Sequence, residues 1–187
     1  MKIIGITGTI GAGKGAIVGY LTERKGFAHF SVRAFLTQII TARNMEVNRD
    51  SMVQVANELR ASHSPSYLIE SLYERARKAG NDCVIESIRT PGEVEALRTK
   101  KDFTLLAVDA DPVLRFERIR QRGSETDMID YDTFMANEQR EMDADDPAKQ
   151  NIRKCIAMAD YRIDNNGSVE ALFAVTEKIL KQIEKKA

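Results

Sequence analysis

The chain has 187 residues, enough for a compact domain with a substantial core, and we expect residues 1–187 to form a single domain. Hydrophobic residues make up 43% of the sequence and charged residues 30%, and 28 basic side chains balance 28 acidic ones. A formal net charge of zero excludes the overall field that recruits nucleic acid or a membrane surface, but it leaves room for a local basic pocket. We therefore expect small-molecule partners, and the oligomeric state stays open.

The sequence predicts a cytoplasmic protein. Its apolar start, Met1 to Ile6, is shorter than a signal peptide, and no stretch approaches the length of a membrane span. Cys83 and Cys155 lack the spacing of a metal site, as do His29 and His63, so we expect all four side chains to be structural. In a cytoplasmic setting the two thiols would be reduced.

Short β-branched runs alternate with longer helical patterns along the chain, which predicts βαβ units around a parallel sheet. Several of the runs are uniformly apolar, as expected for strands that are covered on both faces. The five predicted strands are Lys2 to Thr7, Ala28 to Val32, Asp82 to Ser87, Phe103 to Asp109 and Tyr161 to Asp164.

Capping residues mark the predicted helix starts. A Ser or Asp stands before a proline three times, and proline is favoured at the first helical position; these pairs are Ser64-Pro65, Asp111-Pro112 and Asp146-Pro147. Thr90 and Glu93 form a capping box directly after the third strand. The last helix begins near Ser168, and its predicted buried stripe is Leu172, Val175, Ile179 and Ile183.

A glycine-rich loop follows the first strand and precedes an amphipathic segment, Gly15 to Lys25. The loop reads Gly8-Thr9-Ile10-Gly11-Ala12-Gly13-Lys14 and matches the GxxxxGK pattern. Glycines let backbone amides approach phosphate oxygens, the helix N-terminus adds partial positive charge, and Lys14 neutralises the β and γ phosphates. A turn that binds nothing is the alternative, although such a turn does not need the lysine. We predict that Gly8 to Ala16 bind ATP.

The two positions after Lys14 are Gly15 and Ala16, where the usual pattern has a Ser or Thr whose hydroxyl holds magnesium. The Gly13-Lys14-Gly15 string resembles the adenylate kinase family, in which a Thr follows, so Ala16 departs even from that pattern. Magnesium gives up its hydration shell reluctantly. We therefore expect Mg²⁺ to be held mostly through water by nearby carboxylates.

The segment between the second and third strands, residues 33–78, is longer than one crossover helix requires, and such length usually serves function. The resemblance to nucleoside-monophosphate kinases implies that it is an acceptor-binding insertion, in which Ser31 and Arg33 receive the acceptor nucleotide. A helical segment within it ends at Arg60. Arg60 is either a further phosphate ligand or a favourable charge at the helix C-terminus.

The third strand ends in a carboxylate, Glu86, where P-loop enzymes place an acid that orients magnesium waters. We predict that Glu86 holds the metal through water; a solvated side chain at a strand end is the alternative. The stretch Ser87 to Thr90 resembles the adenylate kinase segment that follows the acidic strand end, although it is one residue shorter. This resemblance implies that Arg89 binds the acceptor phosphate.

A helix rich in arginine follows the fourth strand. Helical spacing puts Arg115, Arg118 and Arg122 on one face, away from Arg120, and such a cluster of like charges suggests an anion ligand. A solvated face relieved by nearby acidic residues is the alternative. Residues 112–146 resemble the lid of these kinases, which implies that the three arginines stabilise the transferring phosphoryl group and that Gly123 acts as a hinge.

Over its whole length the chain resembles the adenylate-kinase-like branch of P-loop kinases, which includes dephospho-coenzyme A kinases. The resemblance implies a three-layer α/β P-loop NTPase fold with a five-stranded parallel sheet, an acceptor-binding helical insertion and a lid. We expect an ATP- and Mg²⁺-dependent kinase that transfers the γ-phosphoryl group to a nucleotide, in the first place a nucleoside or deoxynucleoside monophosphate. Two alternatives stay open: dephospho-coenzyme A as acceptor, and an ATP-binding regulator with slow ATPase activity.

Overall fold

A computed structural model of the chain describes residues 1–123, 128–143 and 149–186. Five strands form one sheet in the order β2-β3-β1-β4-β5, and every paired neighbour runs parallel. The strands are β1 (Ile3–Gly8), β2 (Ala28–Ser31), β3 (Cys83–Glu86), β4 (Phe103–Asp109) and β5 (Tyr161–Asp164). All five strands that the sequence predicted are therefore confirmed, with small shifts at their ends.

Helices connect the strands and cover the sheet. The first connection begins as an α-helix and continues as a π-helical segment, Tyr20–Arg24. The α-helices are α1 (Lys14–Gly19), α2 (Val32–Ala42), α3 (Arg49–Ser62), α4 (Tyr67–Ala79), α5 (Pro91–Arg98), α6 (Pro112–Arg122), α7 (Tyr131–Met142), α8 (Ile152–Ala157) and α9 (Val169–Lys186). Within the described ranges, no helix is both long enough and apolar enough to cross a membrane.

Successive side chains along each strand point to opposite faces of the sheet, so the core has two layers. Ile3, Cys83 and Ile85 lie in a cluster with residues of α2 to α5, whereas Ile4 and Val84 point to the other face and pack with α1 and α9. Both faces of the sheet are thus buried, which explains why its central strands are uniformly apolar. The predicted three-layer α/β fold is confirmed.

The helix starts agree with the capping pattern at two positions and differ at a third. Asp111 caps α6, and Thr90 and Glu93 form the predicted capping box of α5. The predicted start at Ser64 is wrong because Pro65 lies in a turn closed by the Tyr67 N–H on the Ser64 carbonyl, so that α4 begins only at Tyr67. The Asp146-Pro147 start lies outside the described residues.

Helix α9 begins at the predicted place, but one residue of its buried stripe was wrong. Val175 is 42% exposed, whereas Thr176 is fully buried and satisfies its hydroxyl by donating to the Leu172 carbonyl at 2.8 Å. The sequence pattern favoured the valine because a threonine is usually exposed. The local bond to the preceding turn removes the cost of burying its oxygen.

Buried Glu93 makes polar contacts with three segments. Its carboxylate is 2% exposed; one oxygen accepts from the backbone N–H groups of Arg89 at 3.0 Å and Thr90 at 3.2 Å, and the other lies 3.5 Å from the Arg60 guanidinium. Glu93 therefore fixes the start of α5, the turn after β3 and the end of α3 in one arrangement.

We predict that Glu93→Ala lowers the free energy of unfolding by about 2–4 kcal/mol, because it removes a cap and leaves buried donors without a partner. Glu95→Ala is the matched control, since Glu95 lies on the same helix with its side chain exposed, and it should change stability by less than about 0.5 kcal/mol. Urea unfolding of both variants measures the difference. Equal effects would show that the Glu93 contacts do not stabilise the fold.

Candidate functional site

The glycine loop lies between β1 and α1 with the strained backbone that its sequence predicted. The φ angles of Gly8, Gly11 and Gly13 are 139°, 75° and 106°, in a region that favours glycine. The Lys14 side chain folds back over the loop, and its ammonium donates to the carbonyl of Gly8 at 2.7 Å and to that of Thr9 at 2.6 Å. The loop therefore holds a cation at its centre.

Both positively and negatively charged side chains lie near the Lys14 ammonium. Burial and, after it, the positive charge of Arg89 lower its pKa, the carboxylates of Glu141 and Glu86 act in the opposite direction, and the net result is a pKa of about 8. Residues of the turn after β3, the end of β3 and helix α7 therefore all lie close enough to Lys14 to influence its charge. A bound polyanion would favour the charged form of this side chain.

Glu86 lies at the end of β3, in register with Ile6 of β1 and therefore next to the start of the loop. Its side chain is 25% exposed, and one carboxylate oxygen lies 3.4 Å from the Nε2 atom of His29. Sequence reasoning treated His29 as structural and missed this contact. The next residue, Ser87, has a φ of 70°, a left-handed conformation that costs a non-glycine residue about 1–2 kcal/mol. Such strain is often kept at functional sites.

Two of the predicted acceptor residues come together in the structure. Arg60 and the backbone of Arg89 contact the same carboxylate, that of Glu93. The Arg89 guanidinium also donates to Glu141 at 3.1 Å and to Gln150 at 3.2 Å, whereas the Nε of Arg60 is buried without a hydrogen-bond partner. Two guanidinium groups therefore lie near the start of α5, that of Arg60 next to the Glu93 carboxylate and that of Arg89 next to the Glu141 carboxylate.

The other two predicted acceptor residues lie at the start of α2. The Ser31 hydroxyl caps this helix by accepting from the Ala34 N–H at 3.4 Å, and Arg33 is exposed. Ser31 is in register with Glu86, so it is close to the same edge of the sheet. Acceptor binding by these four residues stays a prediction.

The arginine face of α6 differs from the predicted arrangement. Arg115 is 2% exposed, and its guanidinium donates to the carbonyls of Ala110 at 2.8 Å and Ile10 at 3.2 Å and to both carboxylate oxygens of Glu138. Helical spacing could not reveal that α7 and the loop pack against Arg115. Arg115 thus binds protein oxygens instead of facing an open site with the other two arginines.

Arg118 and Arg122 lie further along α6. Arg118 donates to the Asn165 carbonyl at 2.9 Å and has one buried guanidinium nitrogen without a hydrogen-bond partner, and Arg122 is exposed at the last position of the helix. Gly123 follows with a φ of 62° and ends α6. The catalytic roles of these arginines and the hinge role of Gly123 stay predictions.

Sequence reasoning missed four polar residues around the loop. Asp109 ends β4 and accepts a hydrogen bond from the Thr9 hydroxyl, and Asn165 follows β5 and donates to the Ala12 carbonyl at 2.8 Å. Glu138 and Glu141 reach the site from α7. Asp109 could have been found because it is an acidic residue at the end of a buried strand, the pattern that pointed to Glu86. No local sequence pattern points to Asn165, Glu138 or Glu141.

The donor set near Lys14 fits a hydrated magnesium ion. Positions 15 and 16 provide no hydroxyl, and the described part of the chain contains no group of three or more His, Cys, Asp or Glu residues that could hold a metal. Glu86 nevertheless offers a partly exposed carboxylate next to the loop. This arrangement suits an ion that keeps most of its water and is bound mainly by phosphate oxygens.

Comparisons with known proteins agree with the fold. Residues 4–146 match the protein family described as AAA domain. A UPF0200 protein of Methanothermobacter thermautotrophicus is 30% identical, with 100% of this chain and 93% of that protein covered. Among solved structures, TT1252 from Thermus thermophilus is similar with a TM-score of 0.64 at 19% identity, covering 97% of both chains.

A shikimate kinase from Bacteroides thetaiotaomicron is also similar, with a TM-score of 0.55 at 13% identity, covering 96% of this chain and 98% of that one. At such identities the two structural similarities concern the fold alone. They show that this chain shares its fold with TT1252 and with that shikimate kinase.

The lowered pKa of Lys14 makes a prediction about proton uptake. In the free protein the ammonium loses its proton above a pH of about 8, and a bound triphosphate should raise this pKa. ATP binding at about pH 9 should therefore take up close to one proton, while binding at about pH 7 should take up almost none. Calorimetric titration in buffers of different ionisation enthalpy measures this uptake.

Lys14→Arg is the control, because a guanidinium stays charged at both pH values and should show no proton uptake. If the unmodified protein binds ATP at about pH 9 without taking up a proton, Lys14 is already fully charged at that pH, contrary to the prediction.

Proposed function

The chain belongs to the UPF0200 proteins and to the AAA domain family, and we propose that it is an ATP-dependent kinase acting on nucleoside or deoxynucleoside monophosphates. The observation that carries the proposal is the combination of Lys14 inside a glycine loop with Glu86 at the end of the adjacent strand. A cation for the donor phosphates and a carboxylate beside it are the elements that phosphoryl transfer requires.

In the proposed reaction, the glycine loop binds the phosphates of the donor, ATP. Backbone N–H groups between Gly8 and Gly15 bind the β and γ phosphates, and Lys14 leaves the loop carbonyls to neutralise them. Arg118 and Arg122 add positive charge as the γ-phosphoryl group moves. An acceptor oxygen forms a bond to the γ-phosphorus while the bond to the β–γ bridging oxygen breaks, and ADP leaves with that electron pair.

Glu86 would hold Mg²⁺ through water, as the donor set suggests. When bound, the ion neutralises negative charge on the β and γ phosphates. The Glu86 carboxylate would orient the water ligands of such an ion, and His29 contacts this carboxylate at 3.4 Å from the side of β2. Positions 15 and 16 take no part as side-chain ligands because they have no polar group.

A phosphate-bearing acceptor is supported by the two arginines near the start of α5, which a phosphate could bind in place of their carboxylate partners. Arg60 and Arg89 contact one carboxylate there, and an arginine can bind a phosphate through two parallel hydrogen bonds. Arg89 lies close enough to Lys14 for its charge to lower the Lys14 pKa, which supports an acceptor phosphate near the donor phosphates. Such proximity is what the in-line reaction needs.

A hydroxyl acceptor such as that of dephospho-coenzyme A is the second candidate. One observation favours it: the contact of His29 with Glu86 would allow a carboxylate–imidazole pair to remove a hydroxyl proton. A phosphate acceptor needs no such base, so acceptor identity distinguishes the two candidates.

The test of the proposal is a panel of ribo- and deoxyribonucleoside monophosphates and dephospho-coenzyme A, each incubated with ATP and magnesium while ADP release is measured. We expect acceptor-dependent ADP release with at least one monophosphate and none with Lys14→Ala. Release with dephospho-coenzyme A alone would favour the hydroxyl acceptor. ATP binding without release for any acceptor would contradict the proposed kinase and favour a regulatory ATP-binding protein.

We further predict unequal effects of two arginines on α6. Arg118 lies beside Asn165 with an unpaired buried nitrogen, whereas Arg120 is exposed and lies over the Phe116 ring at 5.9 Å. Arg118→Ala should lower kcat/KM by about a hundredfold, since it removes charge at the reacting phosphate, and Arg120→Ala should lower it less than about threefold. Steady-state kinetics with the best acceptor compares them; equal losses would contradict the assignment of Arg118.

A further inference from the structure

The glycine loop can bind phosphate only if its N–H groups, and not its carbonyl oxygens, point into the phosphate site. In a trans peptide the C=O of one residue and the N–H of the next point in opposite directions. No peptide bond in the described part of the chain is cis. Whatever holds a loop carbonyl on one side therefore turns the following N–H group to the other side.

We propose that Asp109, Arg115 and Asn165 are positioning residues that set this orientation. Arg115 donates to the Ile10 carbonyl at 3.2 Å and Asn165 to the Ala12 carbonyl at 2.8 Å. The N–H groups of Gly11 and Gly13 are thereby directed away from these two side chains. Asp109 holds the Thr9 hydroxyl at the start of the same turn. We call these three side chains the loop collar.

Two members of the loop collar, Asn165 and Arg115, are themselves held in place by buried contacts. Asn165 is 7% exposed. Its backbone N–H donates to the Asp109 carbonyl at 2.7 Å, and its backbone carbonyl accepts from the Arg118 guanidinium at 2.9 Å. Arg115 is 2% exposed and is fixed by Glu138 and by the Ala110 carbonyl. Groups with so many partners in a buried position have little freedom to turn, so they can determine the geometry of the loop.

Close packing against the loop collar also explains two of the glycines. A Cβ atom on Gly13 would lie 2.4 Å from the Asn165 amide nitrogen, and one on Gly11 would lie 2.5 Å from the Arg115 carbonyl oxygen. Both distances are too short for a side chain. Gly11 and Gly13 therefore serve the approach of the loop to its collar in addition to the approach of phosphate.

This role differs from the transition-state role that helical spacing suggested for Arg115. A residue that sets the loop should affect the binding of any polyphosphate, whether or not a base or an acceptor is present. Tripolyphosphate is therefore a suitable probe, because it contains the phosphate chain of ATP and nothing else. Its binding also does not depend on whether the protein proves to be a nucleotide kinase.

The decisive variant is Asn165→Asp, which keeps the shape of the side chain but replaces the N–H donor with an oxygen facing the Ala12 carbonyl. The dissociation constant for tripolyphosphate, measured by calorimetry, should rise about tenfold or more. Asn166→Asp is the matched control. It adds the same charge one residue away but keeps the acceptor oxygen, which binds the Asp111 N–H at 2.7 Å, so binding should weaken less than about twofold.

Asn165→Ala removes the donor without adding charge and should weaken binding in the same direction, so it provides the test if the aspartate variant does not fold. Thermal unfolding of each variant confirms that binding is measured on folded protein. Tripolyphosphate affinity unchanged in a folded Asn165 variant would overturn the proposal, and so would an equal loss in Asn166→Asp. In the kinase reaction, the variants should raise the KM for ATP more than they lower kcat.

Discussion

A loop that binds phosphate through its backbone must keep its carbonyl oxygens turned away from the negative charge. In this protein Arg115 holds the Ile10 carbonyl and Asn165 the Ala12 carbonyl, and Lys14 binds the carbonyls of Gly8 and Thr9 in the absence of phosphate. These bonds join β1, α1, α6 and the end of β5 at one edge of the sheet. The geometry of the candidate site follows from that arrangement.

The charge distribution is compatible with the proposed polyanion site in a chain that has no net charge. Cations and carboxylates alternate near the loop: Lys14 is influenced by Arg89, Glu86 and Glu141, and Arg115 is paired with Glu138. Paired charges lower the cost of holding several cations together in the absence of phosphate. An incoming phosphate would compete with Glu141 for Arg89, which connects ligand binding to the position of α7.

Much of the fold was predictable because it depends on local patterns. The uniformly apolar runs predicted the strands, and the Thr90–Glu93 box predicted the start of α5. The glycine loop was recognisable because its GxxxxGK spacing, between an apolar strand and an amphipathic segment, is typical of a phosphate-binding loop. Contacts between distant residues were not predictable in this way. Asn165 binds a carbonyl 153 positions earlier in the chain, and the Arg115–Glu138 pair depends on how α6 packs against α7. A helical wheel gives the direction of a side chain but not the element that it meets.

The account is tested most directly by a crystal structure of the protein with an ATP analogue and magnesium. It predicts that Gly11 and Gly13 donate their N–H groups to phosphate oxygens, and that Lys14 moves from the loop carbonyls to the phosphates. The Ile10 and Ala12 carbonyls should stay on Arg115 and Asn165. Nucleotide bound away from the loop, or peptides turned so that these two carbonyls leave the collar, would contradict the account.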